Sequence, residues 1–263
     1  MSNTMNILCL VKQVPDTTEM KIDKVTGTLI RTGVPSIANP DDMAGIEEAL
    51  KLKEKYKAHL TAITLGPALA EVMLRELLAS GVEEVVLLSD MKFAGADTWA
   101  TSTTLAAFLK TLPYDLIIAG RQAIDGDTAQ VGPQVAEKLG IPQVTYVEEI
   151  LGYENGILTL KKAYEEYSEI LEVRTPALIS TLSSMNTPRM MNVTDVWNAF
   201  EKPIRKVSFA DLHLPDNQVG LKGSPTQVKK TFTRTLQANA LKTDLSPEDA
   251  AKLIATYLSA YME

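Results

Sequence analysis

The sequence predicts an α/β protein: a doubly wound, mainly parallel sheet with an added β-hairpin region and a C-terminal helical arm. Three observations predict it. Short runs that are apolar on both faces recur at 7–11, 60–65, 85–88, 116–119, 144–150 and 177–182. Helical patterns at 40–57, 68–80, 98–110 and 128–139 alternate with them. Strands buried on both faces, with helices between them, are the mark of βαβ units and a parallel sheet. After Leu182 the alternation stops, and a capped helical pattern closes the chain at 246–262.

Taken in order, the strand at 7–11 is followed by an excursion over 17–37 that reads as a β-hairpin turning at Thr26-Gly27-Thr28. The helix at 40–57 is the best marked. Asn39 suits the N-cap, Pro40 the first helical position, and Asp41 and Asp42 the positive end of the helix dipole. Ile46, Ala49, Leu50 and Lys53 come closest to one stripe along it. Residues 151–173 read as two more strands with a turn at Glu154-Asn155-Gly156, since Asn-Gly between apolar runs is a strong hairpin signal. Ser183 to Arg189 reads as a loop, 190–200 as a short helix, and 203–228 as irregular, broken by Pro203, Pro215 and Pro225. In the tail, Ser246-Pro247-Glu248-Asp249 starts a helix along which Leu253, Tyr257 and Tyr261 recur. A helix on a long extended tether is expected to bury its apolar face on another chain. The organisation is therefore an α/β domain over 1–225 and an arm over 226–263.

The 263 residues are enough for a full core, and 45% hydrophobic with 22% charged residues is ordinary for a soluble globular chain. A net charge of −7, with no dense Lys/Arg cluster, argues against a nucleic-acid surface. The apolar runs fall far short of the roughly 20 residues of a membrane span. The start of the chain shows no secretory signal, and the single cysteine, Cys9, excludes an internal disulfide. A cytoplasmic, reducing compartment is the expectation. His59 and His213 are the only histidines, so neither a Cys/His metal cluster nor a Ser/His/Asp triad has a home. Redox chemistry here would require a cofactor.

The loop Gly120-Arg121-Gln122-Ala123-Ile124-Asp125-Gly126-Asp127-Thr128-Ala129-Gln130-Val131-Gly132-Pro133 follows a strand and leads into a helix. In that geometry backbone N–H groups gather around an anion, at the sheet edge where open parallel sheets bind ligands. Lys12 to Thr17, Gly66-Pro67 and Ser89 to Asp97 emerge on the same edge. Asp125 and Asp127 would repel a pyrophosphate, so their carboxylates must point away, cap a helix, or hold ribose hydroxyls and an adenine amine. Spacing alone leaves two readings open: amides around phosphates, or Asp127 and Thr128 capping the next helix. The loop matches neither a Walker A nor a GxGxxG fingerprint.

Val11-Lys12-Gln13-Val14-Pro15-Asp16-Thr17, Asn39-Pro40-Asp41-Asp42, Gly66-Pro67, Gly95-Ala96-Asp97-Thr98 and the whole 120–133 loop resemble the beta subunit of electron transfer flavoprotein. The resemblance continues through Gly223-Ser224-Pro225-Thr226-Gln227-Val228 into the tail, and the long loop is its specific part. It implies an alpha-subunit partner that carries one FAD, and an adenine nucleotide in this chain. One branch of the family holds AMP there as a structural ligand. The other, flavin-bifurcating branch holds a second FAD, and Val14-Pro15-Asp16-Thr17 with 125–133 resembles that branch. Gly126 supplies a physical reason, because a residue without Cβ leaves room for a longer diphosphate. The resemblance then implies a subunit of an NADH-dependent bifurcating oxidoreductase. Hydride from NADH reaches the second FAD; one electron goes to ferredoxin or flavodoxin, and one through the alpha-subunit FAD to a flavoprotein dehydrogenase of acyl-CoA, caffeyl-CoA or lactate type. A carrier with structural AMP is the alternative, and a nucleotide-sensing module without electron transfer is a reading from another class.

The residues expected to line the cofactor are Cys9, Val11, Asn39, Asp42, Leu65, Gly66, Gly120, Asp125, Gly126, Asp127, Thr128, Gln130, Val131 and Gly132. Most are expected to act through backbone, and Asn39, Asp42 and Thr128 through side chains. Cys9 reads first as inert strand packing rather than as a redox group. Residues 183–199 resemble the family's recognition loop, with Val193 at the anchoring position and Met190 and Met191 beside it. These methionines either dock a dehydrogenase or pack under Trp197. The tail resembles the arm that wraps the alpha subunit's flavin domain.

Overall fold

The computed structural model describes residues 4–16, 21–22, 29–30, 35–227 and 244–259. The chain begins with strands β1 (Asn6–Leu10), β2 (Gln13–Pro15), β3 (Lys21–Ile22), β4 (Leu29–Ile30) and β5 (Ser36–Ala38), followed by helix α1 (Pro40–Tyr56). Next come β6 (His59–Leu65), α2 (Glu71–Ala79), β7 (Glu84–Leu88), α3 (Thr98–Leu109), β8 (Leu116–Gly120) and α4 (Val131–Leu139). The long β9 (Gln143–Glu154), β10 (Ile157–Ala163), β11 (Ser168–Arg174) and β12 (Ala177–Thr181) follow. Then come α5 (Val193–Ala199), β13 (Arg205–Val207) and α6 (Pro247–Ser259).

One sheet of nine strands runs in the order β11-β10-β9-β12-β8-β1-β6-β7-β13. From β9 to β13 every pairing is parallel, while β10 lies antiparallel to both β9 and β11. The alternation within β1 explains the two layers. Ile7 and Cys9 join the core that takes Ile46 and Leu50 of α1 with Leu74 and Leu77 of α2. Leu8 and Leu10 face the core that takes Leu105 and Phe108 of α3 with Val135 of α4. Burial on both faces is why the strands read as continuous apolar runs. From β1 the chain winds outward through β6 and β7, then returns to β8 on the other side of β1. The order reverses between β1 and β8, and a crevice opens beyond their carboxyl ends.

Several boundaries differ from expectation for definable reasons. Helix α4 starts at Val131 rather than 128, because Asp127 and Ala129 hold left-handed backbone with φ of 48° and 52°. Residues 68–70 form a 3-10 turn before α2. The expected strand beyond Asn-Gly is present twice, as β10 and β11, and the segment before it is the continuation of β9. Asn155 and Gly156 both take positive φ, 52° and 77°, as a type I′ hairpin requires. Residues 205–207, expected to be irregular, add β13 to the sheet edge. The short helix is confined to Val193–Ala199, where Asn192 caps it by accepting the Asp195 N–H at 2.8 Å.

In the 17–37 excursion, β3 pairs antiparallel with β4 and β2 with β5, while the expected turn at Thr26-Gly27-Thr28 lies outside the described residues. The chain divides into compact units at 1–229 and 230–263. In the second unit α6 starts behind Ser246, whose Oγ accepts the Asp249 N–H at 3.2 Å. Leu253, Ile254, Tyr257 and Leu258 of α6 are exposed, and Tyr261 lies outside the described residues.

Candidate functional site: a sheet-edge cavity

A cavity of about 730 Å³ fills the crevice. Its size falls within the range of about 300–1,000 Å³ usual for small-molecule and cofactor pockets. Val11 and Lys12 after β1, Leu65 and Gly66 at the end of β6, and Gly120 to Gln122 after β8 form one side. Gly126, Thr128, Ala129, Gln130, Val131 and Gly132 form the rim above α4. Opposite them stand Asp90, Met91, Phe93, Asp97, Thr98 and Thr101.

The first turn of α1 builds the floor, in a way the capping rules did not foresee. Asn39 occupies the N-cap position but makes no capping bond. Its Nδ2 donates to the Gln122 carbonyl at 2.8 Å and its Oδ1 accepts the Ile124 N–H at 3.1 Å, so it pins the long loop instead. Asp42 accepts the Lys12 N–H at 2.7 Å and the Gly120 N–H at 2.9 Å, tying the ends of β1 and β8 together. Burial pushes its carboxyl up to about 7, although the Lys12 amide, Asn39 and the Gly120 amide each favour the anion. A Cβ at Gly120 would lie 2.1 Å from Asp42 Oδ1, so only glycine fits there.

The loop above this floor and the first turn of α4 carry a run of free donors. Among the described residues, no hydrogen bond within the chain engages the amides of Thr128, Ala129, Gln130, Val131 or Gly132. All five residues line the cavity. Val131 and Gly132 open α4, where the first N–H groups have no partner within the helix, and a run of such amides at a helix start is suited to an anion. A Cβ at Gly126 would meet no protein atom within 4 Å, so the chain's own packing does not demand glycine there. Thr98 Oγ1 donates to Gln130 Oε1 at 2.8 Å, which fastens the rim to α3.

Of the residues singled out from the sequence, Val11, Asp42, Leu65, Gly66, Gly120, Gly126, Thr128, Gln130, Val131 and Gly132 line the cavity, and Cys9, Asn39, Asp125 and Asp127 do not. Cys9 is buried in the sheet, and burial pushes its thiol well above the ordinary range, leaving it unreactive. Asp125 is paired with Lys12, its oxygens accepting from Nζ at 2.7 and 2.9 Å. Asp127 accepts Gln122 Nε2 at 2.7 Å, and neither it nor Thr128 caps α4, whose N-cap position is Gln130. Sequence reasoning placed the loop from Ser89 to Asp97 on this edge but did not single out Arg121, Gln122 or the wall residues Asp90, Met91, Phe93, Thr98 and Thr101. Arg121 and Gln122 sit inside the long loop and were legible as polar neighbours of Gly120, and the wall was legible as the loop after a strand end, without a signal for which of its side chains face the cavity.

The segment after β12 is held by α1. Arg189 grips Glu47 with Nε at 2.9 Å and Nη2 at 3.0 Å, and Asn186 Nδ2 donates to Glu48 at 2.9 Å. Met190 is 93% exposed, Val193 87% and Trp197 75%, so Met190 does not pack beneath the tryptophan.

The electron transfer flavoprotein domain model matches residues 26–212, a span that includes the cavity loop and most of the sheet. The chain belongs to the electron transfer flavoprotein family. It is 50% identical over 254 residues to the electron transfer flavoprotein subunit beta of Clostridium acetobutylicum, covering 97% of this chain and 98% of that one. Subunit CarD of the caffeyl-CoA reductase-Etf complex of Acetobacterium woodii is 49% identical over 87% of this chain and 88% of its own. The acryloyl-CoA reductase electron transfer subunit gamma of Anaerotignum propionicum is 44% identical, with the same coverage of 87% and 88%. Within the described residues, no helix of this chain is long and apolar enough to cross a membrane. Among them too, no group of three His, Cys, Asp or Glu is placed to hold a metal ion.

Proposed function

We propose that the cavity holds the adenine-nucleotide end of an FAD, and that the subunit works in an NADH-dependent, flavin-bifurcating complex with an alpha subunit. The observation that carries this reading is the run of five unpartnered amides from Thr128 to Gly132, set on the cavity rim at the reversal of strand order. Those amides and the Lys12 ammonium are the groups that would bind phosphates, and the open space at Gly126 leaves room for a diphosphate. Asp42 and Asn39 hold the amide-bearing loop in place from below. The cavity supplies no histidine or cysteine, so the chain's residues bind and orient while FAD, when bound, supplies hydride acceptance and single-electron transfer.

In this reading FAD bound here would accept hydride from NADH and would supply one electron to ferredoxin or flavodoxin and one, by way of the alpha-subunit FAD, to a flavoprotein dehydrogenase. The kinship with subunits of caffeyl-CoA and acryloyl-CoA reductase complexes supports an enoyl- or acyl-CoA type of final acceptor. The exposed face at Met190, Met191 and Val193 is the surface offered to that dehydrogenase, and the apolar side of α6 the surface offered to the alpha subunit. The setting is the cytoplasm. AMP in the same cavity is the second reading, because the amide run serves one phosphate as well as two. Anaerobic addition of NADH to the alpha–beta complex with ferredoxin and the dehydrogenase's acceptor tests the proposal. Ferredoxin reduction that requires the acceptor is expected; its absence with full dehydrogenase coupling leaves the AMP-bearing carrier.

A further inference from the structure

Asp41 touches two parts of the chain that the proposed function uses separately. Its Oδ1 accepts the Ser183 N–H at 2.8 Å. Its Oδ2 takes Arg121 Nε at 3.3 Å and lies 3.4 Å from the Gln122 nitrogen. Its carbonyl accepts Thr181 Oγ1 at 3.0 Å, which locks the same turn against the end of β12. Arg121 and Gln122 line the cavity, and Ser183 begins the segment that leads to Met190 and Val193. The residue is 5% exposed, so water does not readily replace any of these partners. Farther along α1, Ala44 and Glu48 hold Asn186, and Glu47 holds Arg189. The helix whose first turn floors the cavity therefore carries the exposed segment on its next turns.

We propose that Asp41 is a positioning residue that links the cavity to the exposed segment, so that a nucleotide held by 120–132 also orders 183–189. The inference rests on the nucleotide reading of the cavity. A ligand that fixes the loop fixes the Arg121 and Gln122 donors; these fix the Asp41 carboxylate, and the carboxylate fixes the Ser183 N–H. By linkage, a partner that orders 183–189 tightens the nucleotide by the same factor. A carboxylate is required because donors approach both of its oxygens. Asparagine offers one acceptor and one donor, so Asp41→Asn keeps the size and serves only one side.

The test is amide hydrogen exchange on the alpha–beta complex, depleted of dissociable nucleotide, with and without saturating AMP, the portion common to both nucleotide readings. In the unaltered complex AMP is expected to slow exchange at 120–132 and, by about threefold or more, at 183–189. In Asp41→Asn the slowing at 120–132 persists and the slowing at 183–189 disappears. Glu47→Gln, which loosens Arg189 away from the cavity, raises exchange at 183–189 in both states and keeps the AMP-dependent ratio. A purely structural Asp41 would behave like Glu47, with the ratio kept, and that result overturns the proposal. The unaltered complex decides even without variants: slowing at 120–132 with none at 183–189 overturns the link alone. Slowing at neither segment overturns the nucleotide reading and the link with it.

Discussion

Asp42 Oδ1 accepts the Gly120 N–H at 2.9 Å, and a methyl group on Gly120 would stand 2.1 Å from that same oxygen. The first turn of α1 and the end of β8 meet so closely that the hydrogen bond and the absence of a side chain are one requirement. The same contact holds the long loop at the cavity edge, so packing and binding geometry are set together.

Gly120→Ala is therefore expected to push α1 off β8. Overpacking of this kind destabilises by about 1–3 kcal/mol, and cofactor retention should fall with it. Urea unfolding and nucleotide content of the purified complex measure both. An unchanged midpoint with full content would show that the turn yields without consequence.

Asp42 makes stability depend on pH in a defined direction. In the unfolded chain its carboxyl titrates near the ordinary value of about 3.9, whereas in the fold burial raises it to about 7. Between those values the folded chain holds the extra proton, so stability falls as pH rises through that window. Relative to Asp42→Asn, the native protein should lose stability from pH 5 to pH 7.5. Parallel unfolding midpoints for the two across this range would contradict it.

The Lys12–Asp125 pair lies at the mouth with both side chains partly exposed, so its own contribution is at most about 1 kcal/mol. Lys12→Ala is expected to weaken AMP binding by about tenfold through loss of a charge-assisted contact. Asp125→Asn should leave stability within about 0.5 kcal/mol. Calorimetric titration of AMP at low and high salt separates the two, because the Lys12 effect should shrink as salt screens it.

Val193→Ser alters an exposed residue on the face shared with Met190 and Trp197. Folding stability should stay within about 0.5 kcal/mol and flavin content should not change. The rate at which the complex reduces its dehydrogenase partner is expected to drop. A variant with the native rate would place docking elsewhere.

The parallel core was legible because each central strand is apolar on both faces, and the position of the cavity followed from the order of strands and helices. What stayed hidden had physical causes. Strand β13 is three residues, two of them the exposed Arg205 and Lys206, so no apolar run announces it. The start of α4 was misplaced because the left-handed backbone at Asp127 and Ala129 leaves no sequence mark in residues other than glycine. Asn39 was legible as an N-cap, yet its amide serves a loop 83 residues away. Asp41 likewise meets Ser183 across 142 residues, a contact no local pattern encodes. Local rules located the side chains; only the fold assigned their partners.

The central claim, a second flavin in this subunit, is tested most directly by cofactor stoichiometry of the co-expressed alpha–beta complex, read from flavin absorbance and from nucleotides released on denaturation. The account predicts two FAD and no AMP per heterodimer. One FAD with one AMP, unchanged after incubation with excess FAD, would contradict it.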